Sequence, residues 1–373
     1  MITYFKFLLI TITINLLASC GGSGGGGGSS SGTRLTGTTK AVQATSYLNF
    51  KNASLTPTNI PVTADARAFG DFSKSGNLDL FTAQLTYNVS LPIGQATPAT
   101  FKFWKVMSDG RYIEDTARLS SNAGCIHPRK AIVADFNGDS IPDIFVACHG
   151  YDGGTYPGEK SKLVMSKGNG TFVIQDALDI GYWHGATAFD VDGNGSIDLM
   201  LLNNNDAARG NTYLNDGSGN FTKDTLNRFP ASIGSKGYYS IEAIDVNADG
   251  KQDLVLGGLE YINAPTLVLI NPGATNFSAV SSATLPMDST YGIVLDFTVT
   301  NAGANPILWT IRTQQSPFYT GYALNRIDLA ALSGSTVKSS TSGNWLRWAI
   351  PTTISSLKYI SSDNTNDSFS YAY

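Results

Sequence analysis

The sequence predicts an all-β fold built from repeated four-stranded antiparallel sheets, and three observations predict it. An acidic loop followed by an apolar run recurs at near-constant spacing. Each of the first four recurrences carries a second, strand–turn–strand half. Helical signals are nearly absent from a chain with 39 glycines in 373 residues. Charged residues make up only 14%, against roughly a quarter in ordinary soluble domains, which suits an exported β-protein with many turns. The formal net charge of −4 argues against nucleic acid as a partner.

In chain order, residues 1–19 read as a signal peptide: one Lys, then an apolar run too short for a permanent span. Leu17-Ala18-Ser19-Cys20 resembles the lipobox of bacterial lipoproteins. That resemblance implies cleavage before Cys20 and acylation of its thiol; an ordinary signal peptide cut nearby is the alternative. Residues 20–45 then form a Gly/Ser-rich tether, with no large apolar side chain before Leu35, expected to be disordered. About 20 such residues span roughly 25 Å root-mean-square. Gly21 rather than an Asp after Cys20 leans, by resemblance to enterobacterial lipoproteins, towards the outer membrane. No second long apolar segment exists, so the lipid anchor is the expected membrane contact.

Residues 46–373 carry the repeats. Acidic loops begin at Asp71 (GDFSKSGNLDLFTA), Asp135 (ADFNGDSIPDIFVA), Asp190 (FDVDGNGSIDLMLL) and Asp245 (IDVNADGKQDLVLG), at intervals of 64, 55 and 55 residues. A degraded fifth copy, LDFTVTNAGANPILWT, is expected to begin at Asp296, 51 residues further on. Segments such as KLVMSKGNGTFVIQDA and TYLNDGSGNFTKDT supply the second half. Each unit therefore reads strand, acidic loop, strand, connection, strand, turn, strand. Repeated around an axis, such a meander is the blade of a β-propeller. The length from Tyr47 to Tyr373 predicts six blades, with seven as the alternative. KYISSDNTNDSFSYAY offers a last acidic loop from Asp363, and YLNFKNASLTPTNIP the outer half of a blade. Together the termini would close the ring and leave no sheet edge unpaired.

Within each loop, oxygen side chains fall at positions 1, 3, 5 and 9. These are Asp135, Asn137, Asp139 and Asp143; Asp190, Asp192, Asn194 and Asp198; and Asp245, Asn247, Asp249 and Asp253. The first copy, Asp71, Ser73, Ser75 and Asp79, is the weakest. Alternate hard oxygens on a tight loop, with a backbone carbonyl at position 7, suit Ca²⁺, which takes six to eight oxygen ligands. Zinc would want His or Cys. An EF-hand needs a bidentate Glu at position 12, where these loops have Val146, Leu201 and Leu256. A lone copy would be no more than an Asx-rich turn; four in register predict three calcium sites, with a fourth at Asp71 and none at the fifth copy.

The loops DFNGDSIPDIF and DVDGNGSIDLM, with the YLNDGSGNFT half, resemble the FG-GAP/VCBS repeat family, whose propellers are similar to the integrin α-subunit head. The resemblance covers roughly Ala64 to Ala279. It implies the blade fold and the calcium loops. It implies no activity, because one fold hosts many functions.

The acidic loops occupy one face of the disc. All three histidines, His127, His149 and His184, fall near the other, with Tyr151, Asp152, Tyr182, Trp183, Tyr238, Tyr239, Glu260 and Tyr261. Aromatics with polar edges beside a central depression suit sugar or peptide recognition. From these, His127, His149, Tyr151, Trp183, His184 and Tyr239 are the expected ligand-binding residues. Cys125 and Cys148 bracket the inner hairpin beneath this face and offer a disulfide, two buried thiols being the alternative. No nucleophile elbow or zinc-protease pattern appears, so no catalytic residue is assigned. The expectation is a surface-tethered binding or adhesion module for a glycan or protein. A polysaccharide lyase or hydrolase, drawing on His127, Arg129, His149, His184 and Tyr151, and a scaffold subunit of an envelope complex are the alternatives.

Overall fold

The computed structural model describes residues 65–373, apart from 89, 120, 122, 248, 274–275, 301–305, 347, 355–356, 364–367 and 373. The expected signal peptide, Cys20, the tether and the segment from Tyr47 to Pro61 lie outside the described residues. Among those described, the chain forms five four-stranded antiparallel sheets, each with its strands in sequence order. Their innermost strands are Ala66–Gly70, Pro128–Ala134, Trp183–Phe189, Tyr238–Ile244 and Ile293–Thr300. Each packs against the next around a common axis. These are blades 1 to 5 of a propeller.

The expected count of six or seven four-stranded blades is corrected to five. Blade 5 ends at Ser340, and the strands described after it are three rather than four. They form a three-stranded sheet, Trp348–Ile354, Leu357–Asp363 and Ser368–Ala372, whose first strand packs beside blade 5. Asp363 ends the second strand of that sheet. It therefore leads into the second-to-third connection, not the first-to-second connection that acidic loops occupy. The fifth loop is also corrected: Asp296 lies inside the innermost strand of blade 5, which runs on to Thr300 paired with Ile307.

Period-2 alternation explains the apolar runs after each acidic loop. The second strand of blade 2, Asp143–Cys148, is buried at every position. Ile144 and Val146 face a core shared with blade 1, while Phe145 and Ala147 face the core shared with blade 3. The same sandwiching buries Leu199, Met200, Leu201 and Leu202 in blade 3 and Leu254 to Leu256 in blade 4. Each fully buried side chain of this size contributes roughly 1.5–3 kcal/mol, so the blades hold one another by apolar contact. A disulfide joins Cys125 to Cys148 and pins the entry to blade 2 against its second strand.

Near the axis, Lys130 Nζ reaches Glu242 Oε2 at 3.0 Å and Asp296 Oδ1 at 2.6 Å. This triad, with Lys130 and Glu242 buried and Asp296 half-buried, links blades 2, 4 and 5. Burial of such charges is tolerated only with partners in place.

Candidate functional site

The acidic loops share one construction. The position-1 carboxylate closes the loop on itself: Asp190 accepts from the backbone N–H groups of Gly193 and Gly195 at 2.8 and 2.9 Å. Asp135 and Asp245 do the same in blades 2 and 4. The turn needs positive φ, which Gly193 (81°) and Gly195 (91°) provide. The position-9 carboxylate ties the loop to the end of the third strand. Asp143 accepts from Phe136 N and Ser166 N, Asp198 from Val191 N and Asn215 N, and Asp253 from Val246 N and Asn271 N.

These position-9 carboxylates are fully buried. Burial, reinforced by neighbouring loop aspartates, pushes Asp143 and Asp198 up to about 7 and Asp253 up to about 6. No basic side chain pairs with any of the three among the described residues. In the third loop, Asp190, Asp192 and Asp198 each place an oxygen within 4.8 Å of the others. Two oxygens bound to one Ca²⁺ at about 2.3–2.6 Å can be no more than about 5 Å apart, so this donor set fits a shared cation. The first loop differs. Asp79 accepts from Ser73 Oγ at 2.9 Å and pairs with Arg118 Nη2 at 3.2 Å, both ends of the ion pair being buried. A guanidinium stands where a cation would neutralise Asp79, so Asp71, Ser73, Ser75 and Asp79 do not fit a metal as the other loops do.

At the opposite end of the strands lies a cavity of about 670 Å³ on the axis. It collects residues that begin the innermost strands and residues that follow the second strands. A register shift explains how the first group points inward. Arg129, His184, Tyr239 and Leu295 are each the unpaired residue of a bulge in the innermost strand of blades 2, 3, 4 and 5. A bulge re-aims one side chain relative to the regular pleat, and all four line the cavity. In blades 2 to 4 the bulged residue lies six positions before the loop's first aspartate. In blade 1 that position is Asp65, which also lines the cavity.

The histidines meet around Arg129. His127 Nε2 is 3.4 Å from Arg129 Nη1, and both ring nitrogens of His184 lie 3.2–3.3 Å from Nη2. Burial, and then the Arg129 charge, holds His127 and His184 well below the usual histidine value; burial first and its neighbouring histidines next do the same for His149. All three rings are therefore neutral at pH 7. Their tautomers follow from the donors. Guanidinium has no lone pair to accept with, so His127 Nε2 accepts from Arg129 and the His127 proton sits on Nδ1. That nitrogen faces His149 Nδ1 at 3.2 Å, which accepts and leaves the His149 proton on Nε2. His149 Nε2 is buried and has no hydrogen-bond partner.

Tyr239 stacks on His184 (centroids 4.0 Å apart) and Tyr87 lies parallel to His127 (6.0 Å). Glu159 fixes the loop under the histidines by accepting from the N–H groups of Ile126, His127 and Gly150 at 3.0, 3.0 and 3.1 Å.

Of the expected ligand-binding residues, His127, His149, His184 and Tyr239 come together on the cavity. Two do not. Trp183 is fully buried in the core between blades 2 and 3, its Nε1 donating to Asp179 O at 3.2 Å. Tyr151 is buried beside Tyr87 and donates its hydroxyl to Leu91 O. Tyr182 and Asp152 do line the cavity, joined by a hydrogen bond from the phenol to the carboxylate. Tyr238 and Glu260 are structural, Glu260 pairing with buried Arg312 at 2.5 Å. Asp65, Tyr87, Arg209, Tyr319 and Trp345 line the cavity unforeseen.

Residues 135–201 and 190–256 match the family model described as FG-GAP-like repeat. No curated protein sequence matches the chain. Among solved structures, an exo-β-1,3-galactanase from Phanerochaete chrysosporium is similar at 13% identity and TM-score 0.43, over 78% of this chain and 71% of the galactanase. A rhamnogalacturonan lyase from Bacillus licheniformis is similar at 12% identity and TM-score 0.37, over 88% of this chain and 60% of the lyase. A candidate 6-phosphogluconolactonase from Bacteroides fragilis is similar at 10% identity and TM-score 0.47, over 83% and 82% of the two chains.

Proposed function

We infer that this β-propeller with FG-GAP-like repeats is a calcium-braced binding module whose axial cavity takes a glycan. The observation that carries the reading is the division of labour between the two ends of the blades. Closed oxygen loops tie strands together at one end. At the other, a concave site brings ring faces, histidines and arginines together within the 300–1,000 Å³ range typical of small-ligand sites. A recessed site suits a saccharide better than a folded protein surface. A glycan array probed with and without calcium tests this. Binding should depend on calcium and fall at least tenfold in His184→Ala; an array with no hits for the folded, calcium-loaded protein would sink the reading.

A second reading is cleavage of the bound polysaccharide. It is favoured by neutral His149 and His184 converging with Arg129 and Tyr182, a set able to move protons beside a bound anion. New reducing ends released from an array hit would favour it over simple binding.

The module is also proposed to be an exported bacterial lipoprotein, held at the outer membrane through acylated Cys20. Full-length protein should partition into a detergent phase, and Cys20→Ala should move it to the aqueous phase. A wild type found wholly in the aqueous phase would remove the anchor from the proposal.

A further inference from the structure

We propose that the cavity binds its saccharide through a carboxylate, as in a uronate residue, held by Arg129 and Arg209 with His149 Nε2–H as a third donor. This rests on reading the cavity as a glycan site. The support is two guanidinium charges with no carboxylate to pair with, although Arg129 also donates to His127 and His184. Arg129 and Arg209 both line the cavity, and both charges act on the His184 ring. Neither guanidinium forms an ion pair among the described residues. Arg209 Nε is buried and without a partner, as is His149 Nε2. His149 is only 2% exposed, so water does not substitute freely.

The carboxylates of the cavity do not fill this role. Asp296 is held by Lys130, Asp152 accepts from Tyr182, and Asp65 accepts from the Leu85 N–H at 2.8 Å. Buried donors left unpaired are costly, and a planar guanidinium matches a carboxylate's two oxygens. The Tyr239–His184 stack gives the sugar ring an apolar face beside those donors.

The same residues argue against a cation. His127, His149 and Asp152 can bring ligand atoms within 4.8 Å of one another. Yet the lone pairs of His127 Nε2 and His149 Nδ1 are taken by Arg129 and by His127, and a guanidinium 3.4 Å away opposes any added positive charge.

The test is calorimetric titration of the calcium-loaded full chain with short oligomers of galacturonate, glucuronate and mannuronate. Each is paired with its carboxyl-reduced, neutral counterpart, and an oligoglutamate peptide is included. At least one uronate should bind tenfold or more tightly than its neutral form. Arg129→Gln and Arg209→Gln should each bring the acid form down to about the neutral level. Arg129→Lys should recover only part of the loss, because a point charge replaces a fork. An unchanged calcium-dependent melt shows that each variant folds. Acid and neutral forms binding alike, with both arginine variants silent, would overturn the carboxylate inference and leave the glycan reading standing. No binding by any saccharide, or tighter binding by the peptide, would overturn both.

Discussion

Removing calcium is expected to lower the melting temperature of the propeller by on the order of 15 °C. A ligand that binds only the folded state adds RT ln(1 + [L]/Kd), about 2.7 kcal/mol at a hundredfold excess over Kd. Three equivalent loops then add about 8 kcal/mol, and in a chain of this size each kcal/mol shifts the melt by about 2 °C. The structure divides the loops for a sharper test. Asp198→Asn should remove about a third of the calcium response, because the third loop loses its buried anchor. Asp79→Asn should destabilise the protein through its lost pairing with Arg118, yet leave the calcium response intact. A melt indifferent to a chelator would show that the loops hold themselves together without metal.

Lowering the pH from 7 to 5 is expected to destabilise the calcium-loaded protein through the histidine cluster. His127, His149 and His184 have folded-state values well below 6.5, set first by burial. Below 6.5 the unfolded chain binds protons that the folded chain does not. The neutral cluster's contribution is thus fully present above 6.5 and is lost as the pH falls towards the folded values. Each histidine costs about 1.4 kcal/mol per pH unit in that window. Domain stabilities lie around 5–15 kcal/mol, so the loss is large. Thermal melts at fixed saturating calcium, comparing wild type with His149→Gln, measure it. The substitution should flatten the pH slope by about a third whatever constant offset it adds. Parallel slopes would mean that His149 is protonated in the folded state, against its burial beside Arg129.

The repeat and its loops were legible because their determinants are local. Positions 1, 3, 5 and 9 of each loop, and the apolar second strand behind it, sit within about a dozen residues of one another. Blade number was less legible, because the last sheet carries no acidic loop to mark its first turn. Asp296 imitated a loop aspartate by its spacing, whereas it is an inner-strand residue whose carboxylate meets Lys130 from another blade. That contact is invisible to local pattern. Trp183 and His184 show a subtler limit. Strict alternation does not say which of two neighbours faces the axis when a bulge resets the phase between Trp183 and Gly185. Arg209 had no signal at all. It comes from the irregular segment after the second strand of blade 3, in a left-handed backbone conformation (φ 63°) that Tyr156 and Tyr319 also adopt in the corresponding segments of blades 2 and 5.

The bulge has a consequence for how such a protein can change. Arg129, His184, Tyr239 and Leu295 occupy one equivalent slot in four successive blades, with Asp65 at the matching position of blade 1. In blades 2 to 4 the slot is a kink in one strand, set apart from the hydrophobic cores, whereas Leu295 also packs on the core of blade 5. The chemistry of the mouth is therefore written as a short word, one letter per blade, and the frame that displays it is spelled elsewhere. A charged or aromatic letter can be exchanged without rewriting the frame, so the lining of the cavity can be changed in single steps.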